Sequence, residues 1–198
     1  KTAYEIPKRD WSSDVCSSDL HGIFVDHQDN VWIGSYNRHR VMKFTREGKH
    51  LLTIGQYEKT NGSADTTLLG GPSGIWVDPK TNEVFISDGY RNRRIIVFDI
   101  NGKYLRHWGA YGAVPDDTER FDPKTMMSGA LPKQFSTPHG ITGSRDGKIY
   151  VADRRGNRVQ VFEQSGKFVA EKVIAPATLS SGSAFVPVLS PDPQQQWL

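Results

Sequence analysis

From His21 to Ile174 the chain alternates short apolar runs with clusters of Asp, Asn, Gly and Pro. The runs are about five residues long and rich in β-branched and aromatic side chains, which predicts strands joined by tight turns. No segment sustains apolar residues at i, i+3, i+4 and i+7, so almost no helix is predicted. The runs recur as a unit of fixed order. Each unit has a Gly-Ile step, an aromatic-centred apolar triplet, an Asn/Arg-rich turn, an apolar run and an X-Gly-Lys turn. The first copy holds His21-Gly22-Ile23, Val31-Trp32-Ile33, Arg40–Phe44 and Glu47-Gly48-Lys49. The second holds Ser73-Gly74-Ile75, Val84-Phe85-Ile86, Arg94–Phe98 and Asn101-Gly102-Lys103, and the third His139-Gly140-Ile141, Ile149-Tyr150-Val151, Arg158–Phe162 and Ser165-Gly166-Lys167. The offset from the first glycine to the aromatic is 10, 11 and 10 residues, too regular for chance.

Self-similarity at this period signals a ring or array of equivalent modules. The third copy resolves into four predicted strands: 140–144, 148–153, 158–162 and 168–174. Asp146-Gly147 reads as a two-residue hairpin turn between the first two. Four short antiparallel strands per copy make one propeller blade. The predicted fold is therefore all-β: a β-propeller with blades at about 21–55, 72–110 and 136–175 and the start of another at 184–198, out of an expected six. Two insertions, Gln56–Gly71 and Tyr111–Gln134, are rich in Gly, Asp, Thr and Pro, and loops of that length are functional, mobile or decorative.

Residues 1–20 differ in character and resemble a translated sequencing adapter, so they are set aside from the fold. They contain Cys16, the single cysteine. Without it, no disulfide framework, thiolate metal site or thiol nucleophile is available. The stretch Ala184–Leu189, Ser190–Pro193 and Trp197-Leu198 reads as the opening strand and turn of a fourth copy. The sequence is thus expected to be an internal piece of a longer propeller, poorly soluble and inactive alone, and monomeric when whole. A formal net charge of +3 without a Lys/Arg run does not point to nucleic acid. No apolar run approaches the ~18 residues of a membrane span.

The position before each Gly-Ile step is occupied by His21, Ser73 and His139. In a propeller the first strand of each blade lines the central channel, so these residues belong at its mouth. Histidines on alternate blades, continued around six, would place three imidazoles at one level, the arrangement of a catalytic zinc site. The competing reading is a pair of solvated channel histidines without metal. His27, His39, His50 and His107 fall in turns or outer strands and read as surface residues. Tyr90 lies in Ser87-Asp88-Gly89-Tyr90, a turn after an inner strand, and the Tyr36 and Arg154 regions are its counterparts. A tyrosine beside a metal can act as a general base, because a nearby cation favours the phenolate. Arg154 or Arg155 can bind a carboxylate through the planar guanidinium fork. The plainer roles are packing for the tyrosine and solvation or blade bridging for the arginines.

The segments His21-Gly-Ile, Val84–Ile95, Thr137-Pro-His-Gly-Ile141 and Val151-Ala-Asp-Arg154 resemble NHL repeats. More specifically they resemble the peptidyl-α-hydroxyglycine α-amidating lyases, six-bladed NHL propellers, in the same order over nearly all of 21–174. The resemblance implies a Zn2+ held by three histidines, two of which match His21 and His139. It also implies a catalytic tyrosine at Tyr90, a substrate-binding arginine at Arg154 and a structural Ca2+ on the backbone carbonyl of Ile23. The implied reaction cleaves the C–N bond of a peptidyl-α-hydroxyglycine to a peptide amide and glyoxylate. The third zinc histidine and a second arginine have no counterpart in this sequence. The animal enzymes carry disulfides near the tyrosine and arginine motifs; Arg91 and Val161 stand here instead, which fits a bacterial-type, secreted or periplasmic relative. The alternative is a non-catalytic NHL module that binds protein, peptide or polysaccharide. A calcium-dependent lactone hydrolase is disfavoured, because channel carboxylates are lacking where His and Ser stand.

Overall fold

The computed structural model describes residues 19–119, 122, 130–195 and 198. Among these, twelve strands form three four-stranded antiparallel sheets, and no α-helix occurs. The first sheet is β1 (Leu20–Val25), β2 (Val31–Ser35), β3 (Arg40–Phe44) and β4 (His50–Gly55). The second is β5 (Pro72–Val77), β6 (Val84–Asp88), β7 (Arg94–Phe98) and β8 (Tyr104–Trp108). The third is β9 (Pro138–Gly143), β10 (Lys148–Asp153), β11 (Arg158–Glu163) and β12 (Phe168–Val173). Strands lie in chain order within each sheet, and the first strands β1, β5 and β9 sit side by side. This is the blade arrangement of a propeller. Residues 1–18, with Cys16, lie outside the described residues. The first blade starts slightly before His21: Leu20 pairs with Ser35, and the Asp19 carboxylate accepts from Asn37 at 3.1 Å and Arg38 Nε at 3.0 Å.

The core lies between blades. Trp32, Val41 and Ile54 of the first blade meet Ile75, Val77 and Ile86 of the second. On the far side of that blade, Phe85, Ile95, Val97 and Trp108 meet Ile141, Val151 and Phe162 of the third. The second blade is thus covered on both faces, and every residue of β6 and β7 is buried. Strands covered on two sides need continuous apolar runs, and Val84–Ile86 and Ile95–Phe98 supply them. β1, packed on one side only, alternates half-buried with exposed.

Two expectations are revised. The Asp146-Gly147 hairpin has a three-residue loop: Ser144 N–H donates to Lys148 O at 2.9 Å and Gly147 N–H to Ser144 O at 3.0 Å. Gly147 takes φ +83°, the left-handed residue that completes a type I turn with a bulge. Gly48, Gly102 and Gly166 do the same in their own hairpins. The second revision concerns the fourth copy. Residues 184–189 carry no strand, since no described neighbour completes a ladder with them. Their position is nonetheless that of an inner strand. A Cβ on Gly140 would lie 2.6 Å from Phe185 O, just as one on Gly74 would lie 2.6 Å from His139 O. Phe185 therefore occupies the place that Ser73 and His139 hold in their blades. Trp197 lies outside the described residues.

The insertions are fastened at their bases by buried ion pairs. Arg94 Nε donates to Asp88 at 3.0 Å, and its other nitrogens donate to Ser63 O at 2.8 Å and Leu68 O at 2.7 Å. Arg158 Nε donates to Asp153 at 3.1 Å, and its Nη atoms reach Pro132 O at 2.8 Å, Gln134 O at 2.9 Å and the Tyr111 hydroxyl at 2.7 Å. Ser63 ties the two insertions together, its N–H and hydroxyl donating to Asp117 at 2.7 and 2.6 Å.

Candidate functional site at the channel mouth

His21 and His139 begin neighbouring-but-one inner strands, and the strand between them carries Ser73. The Ser73 hydroxyl is buried and lies 2.9 Å from His139 O and 3.1 Å from Ser87 O, which knits the second blade to the third. Gly22 and Gly74 let these strands approach closely: a Cβ on Gly22 would fall 2.0 Å from Ser73 O. The result is convergence of the two imidazoles, with Nε2 to Nε2 at 2.8 Å. They stand at one end of a cavity of about 500 Å³ that Ile23, Ile75 and Ile141 also line.

His139 Nδ1 donates to the main-chain carbonyl of Phe185 at 2.9 Å, which fixes the tautomer with the Nε2 lone pair facing His21. Burial pushes His139 down to about 4; Arg154 and His21 add to this, and the Phe185 hydrogen bond opposes it. Desolvation, then the charge of Arg154, lowers His21 as well. Both rings are therefore neutral at pH 7, the form that ligates metal. A carbonyl holding the far nitrogen of a histidine is the usual outer support of a metal-ligating imidazole. Imidazole nitrogens are ligands that zinc accepts, and the 2.8 Å between these two is also a hydrogen-bond distance. Among the described residues no group of three His, Cys, Asp or Glu is assembled for a metal. The pair fits the ion as part of a ligand set, not as all of it.

The Tyr90 oxygen sits 3.0 Å from His21 Nε2 and 3.4 Å from His139 Nε2. Its backbone is held by a donor bond to Gly71 O at 3.2 Å, and Asp88 below it accepts from Gly70 N–H at 2.7 Å. Gly89 lies against the third blade with no room for a side chain: a Cβ there would be 1.9 Å from Pro138 O. Arg154 Nη1 donates to the Tyr90 oxygen at 3.2 Å. Asp153, the residue before it, accepts from Ser136 and Thr137 N–H at 2.9 and 2.7 Å, just ahead of His139. Burial raises the Asp153 carboxyl, and Arg158 with these two amides counters it. One buried carboxylate therefore supports both Arg154 and His139. Arg155 is exposed beside the site and makes none of these contacts.

Two members of the cluster were given no role by sequence reasoning. Tyr36 donates its N–H to Asp19 O as Tyr90 does to Gly71 O and Arg154 to Thr137 O, so the three are equivalent positions of three blades. The Tyr36 ring lies 4.8 Å from that of Tyr90 and 5.5 Å from that of His21. Its signal was present in the repeat alignment. Phe185 had no such signal, because no Gly-Ile step follows it. Of the remaining histidines, His27 and His50 are exposed as expected. His39 is buried, 2% exposed, in a left-handed turn at φ +56°, and His107 is half-buried with its Nδ1 2.8 Å from the Tyr104 hydroxyl. Their turn and outer-strand positions hid the packing of neighbouring segments over them. Ile23 lies on channel-lining β1 with its side chain exposed.

A family model describing the NHL repeat matches residues 135–162, the segment that holds His139, Asp153, Arg154 and Arg158. These residues are an NHL repeat. The other two blades follow its plan strand for strand. The chain is 38% identical over 141 residues to peptidyl-alpha-hydroxyglycine alpha-amidating lyase 2 of Drosophila melanogaster, covering 70% of this chain and 30% of that protein. It is 32% identical over 154 residues to peptidyl-glycine alpha-amidating monooxygenase B of Xenopus laevis, covering 76% of this chain and 16% of that protein. The chain thus spans well under half the length of these relatives. Virginiamycin B lyase from Staphylococcus aureus shares the fold, with a TM-score of 0.51 at 18% identity over 81% of this chain and 43% of that one. No helix among the described residues is long and apolar enough to cross a membrane.

Proposed function

We propose that this NHL segment supplies part of the site of a zinc-dependent lyase. The reaction would cleave the C–N bond of a peptidyl-α-hydroxyglycine to a peptide amide and glyoxylate. The observation that carries the reading is the convergence of His21 Nε2 and His139 Nε2 at 2.8 Å with the Tyr90 oxygen beside them and Arg154 behind it. Similarity to a protein named as an amidating lyase supports the same reaction class.

Zinc held by the two imidazoles and a further ligand would supply Lewis acidity at the substrate hydroxyl. The Tyr90 oxygen is the group placed to take the hydroxyl proton as general base. Arg154 donates to that oxygen and holds it in place. The O–H electron pair becomes the second C–O bond of glyoxylate as the C–N bond breaks. The bond's electrons stay on nitrogen, which takes the proton back from Tyr90 and leaves as the amide. The outer nitrogens of Arg154 anchor the substrate carboxylate, two charges in a fork geometry. A structural calcium at the Ile23 carbonyl and an exported location belong to the same proposal.

The test uses the longest natural chain containing this segment. About one zinc per chain is expected, together with glyoxylate release from a peptidyl-α-hydroxyglycine, and His139→Ala should lose both. A folded, metal-free protein that binds peptides without releasing glyoxylate would replace the lyase with a binding module.

A further inference from the structure

Arg154 differs from the other arginines beneath the channel mouth. Arg94 and Arg158 are each locked by a buried aspartate. Among the described residues no carboxylate pairs with Arg154, and its Nε is buried without a partner. Its guanidinium lies instead between two aromatic rings, with Cζ 5.4 Å from the Tyr90 centroid and 5.4 Å from the Phe185 centroid.

We propose that Phe185 is a positioning residue that holds Arg154 for the carboxylate end of the ligand. This rests on the reading of Arg154 as a carboxylate anchor. The chemical logic is that an aspartate at this place would orient the guanidinium but neutralise it, and so compete with an anionic ligand. An aromatic face orients the same cation and leaves its positive charge and outer donors available. Phe185 does this from a main chain already committed to the site, since its carbonyl accepts from His139 Nδ1 and its ring lies 5.7 Å from the His139 ring. Gly140 makes the placement possible, because a Cβ there would sit 2.5 Å from Val186 Cα. The side chain and the backbone of Phe185 thus have separable jobs: the ring serves Arg154 and the carbonyl serves His139.

The experiment compares Phe185→Leu, Phe185→Ala and Phe185→Tyr with wild type in the full natural chain. Calorimetry measures binding of a peptide ending in free glycine and of the same peptide amidated; zinc content and the KM and kcat for glyoxylate release are measured alongside. Loss of the ring in the Leu and Ala variants should weaken the carboxylate-ended peptide about three- to tenfold. KM should rise to match, with kcat and zinc content unchanged because the carbonyl remains. The amidated peptide should change little, and Phe185→Tyr should behave as wild type. Phe185→Leu, which keeps the bulk, carries the test if the Ala variant does not fold. The proposal is overturned if Phe185→Leu binds like wild type, if both peptides weaken equally, or if wild type does not prefer the carboxylate. A wild type that releases no glyoxylate yet prefers the carboxylate, with that preference lost in Phe185→Leu, would end the lyase reading and support this one.

Discussion

Replacing Arg158 by methionine should unsettle the site from beneath without touching it. Arg158 and Asp153 are both fully buried side chains, joined at 3.1 Å. Methionine keeps much of the arginine's volume but leaves the Asp153 carboxylate buried with only the Ser136 and Thr137 amides. Removing one partner of such a pair costs about 3–5 kcal/mol. Pro132 O, Gln134 O and the Tyr111 hydroxyl lose their donor as well, which places the expected loss at the upper end of that range. Asp153→Asn in the same background removes the orphaned charge while its amide oxygen can still accept from the two backbone N–H groups. The double variant should therefore be more stable than Arg158→Met alone, by about 1–2 kcal/mol. The sign with pH follows. In Arg158→Met the lone carboxylate has a folded-state pKa raised by burial, so the deficit should shrink as pH falls toward the unfolded value, about 3.9. Urea unfolding at pH 7 and pH 4.5 measures each quantity. A single variant within about 1 kcal/mol of wild type, or a double variant less stable than the single, would refute the reasoning.

Other outcomes follow from the same contacts. Gly89→Ala must move the third blade, because its Cβ would meet Pro138 O at 1.9 Å, and a loss of about 1–3 kcal/mol in chemical denaturation is expected. Asp65 accepts from Leu68 and Thr67 N–H at 2.8 Å each, and these bonds with Asn61 hold its carboxyl well below the usual range. Its contribution is therefore present above the unfolded value near 3.9 and fades as pH falls, so Asp65→Ala should be less stable than wild type at pH 7 and should converge on it in acid melts. Tyr36→Phe should leave activity and zinc content unchanged, whereas Tyr36→Ala, which removes the ring packed on Tyr90 and His21, should lower kcat; equal activities would remove Tyr36 from the site.

The blades were legible because their signals are local. A five-residue run and a glycine with an Asp or Asn beside it are readable one hairpin at a time, even where the loop proves one residue longer than read. The third blade's second strand, 148–153, came out at its observed bounds for that reason. His21, His139, Tyr90 and Arg154 could be gathered because equivalent positions of equivalent blades meet at one mouth. What stayed hidden depends on partners distant in the chain. His39 looks like a surface turn residue until neighbouring segments cover it. The roles of Asp88 and Asp153 emerge only when Arg94 and Arg158 reach across to loops some 20 to 30 residues upstream. Phe185 fell inside the expected opening strand of a fourth copy, but with no Gly-Ile step after it nothing marked it as the counterpart of Ser73 and His139.

The second blade contributes no imidazole, yet it sets how far apart the two imidazoles stand. Its first strand is wedged between those of its neighbours, touching Gly22 on one side and, through Gly74, the main chain of His139 on the other. It acts as a shim whose thickness determines the bite of the pair. A methyl group on Gly74, 2.6 Å from His139 O, would pry the jaws open while leaving both imidazoles intact. The separation of the two imidazole nitrogens is thereby tunable from a strand that carries neither of them.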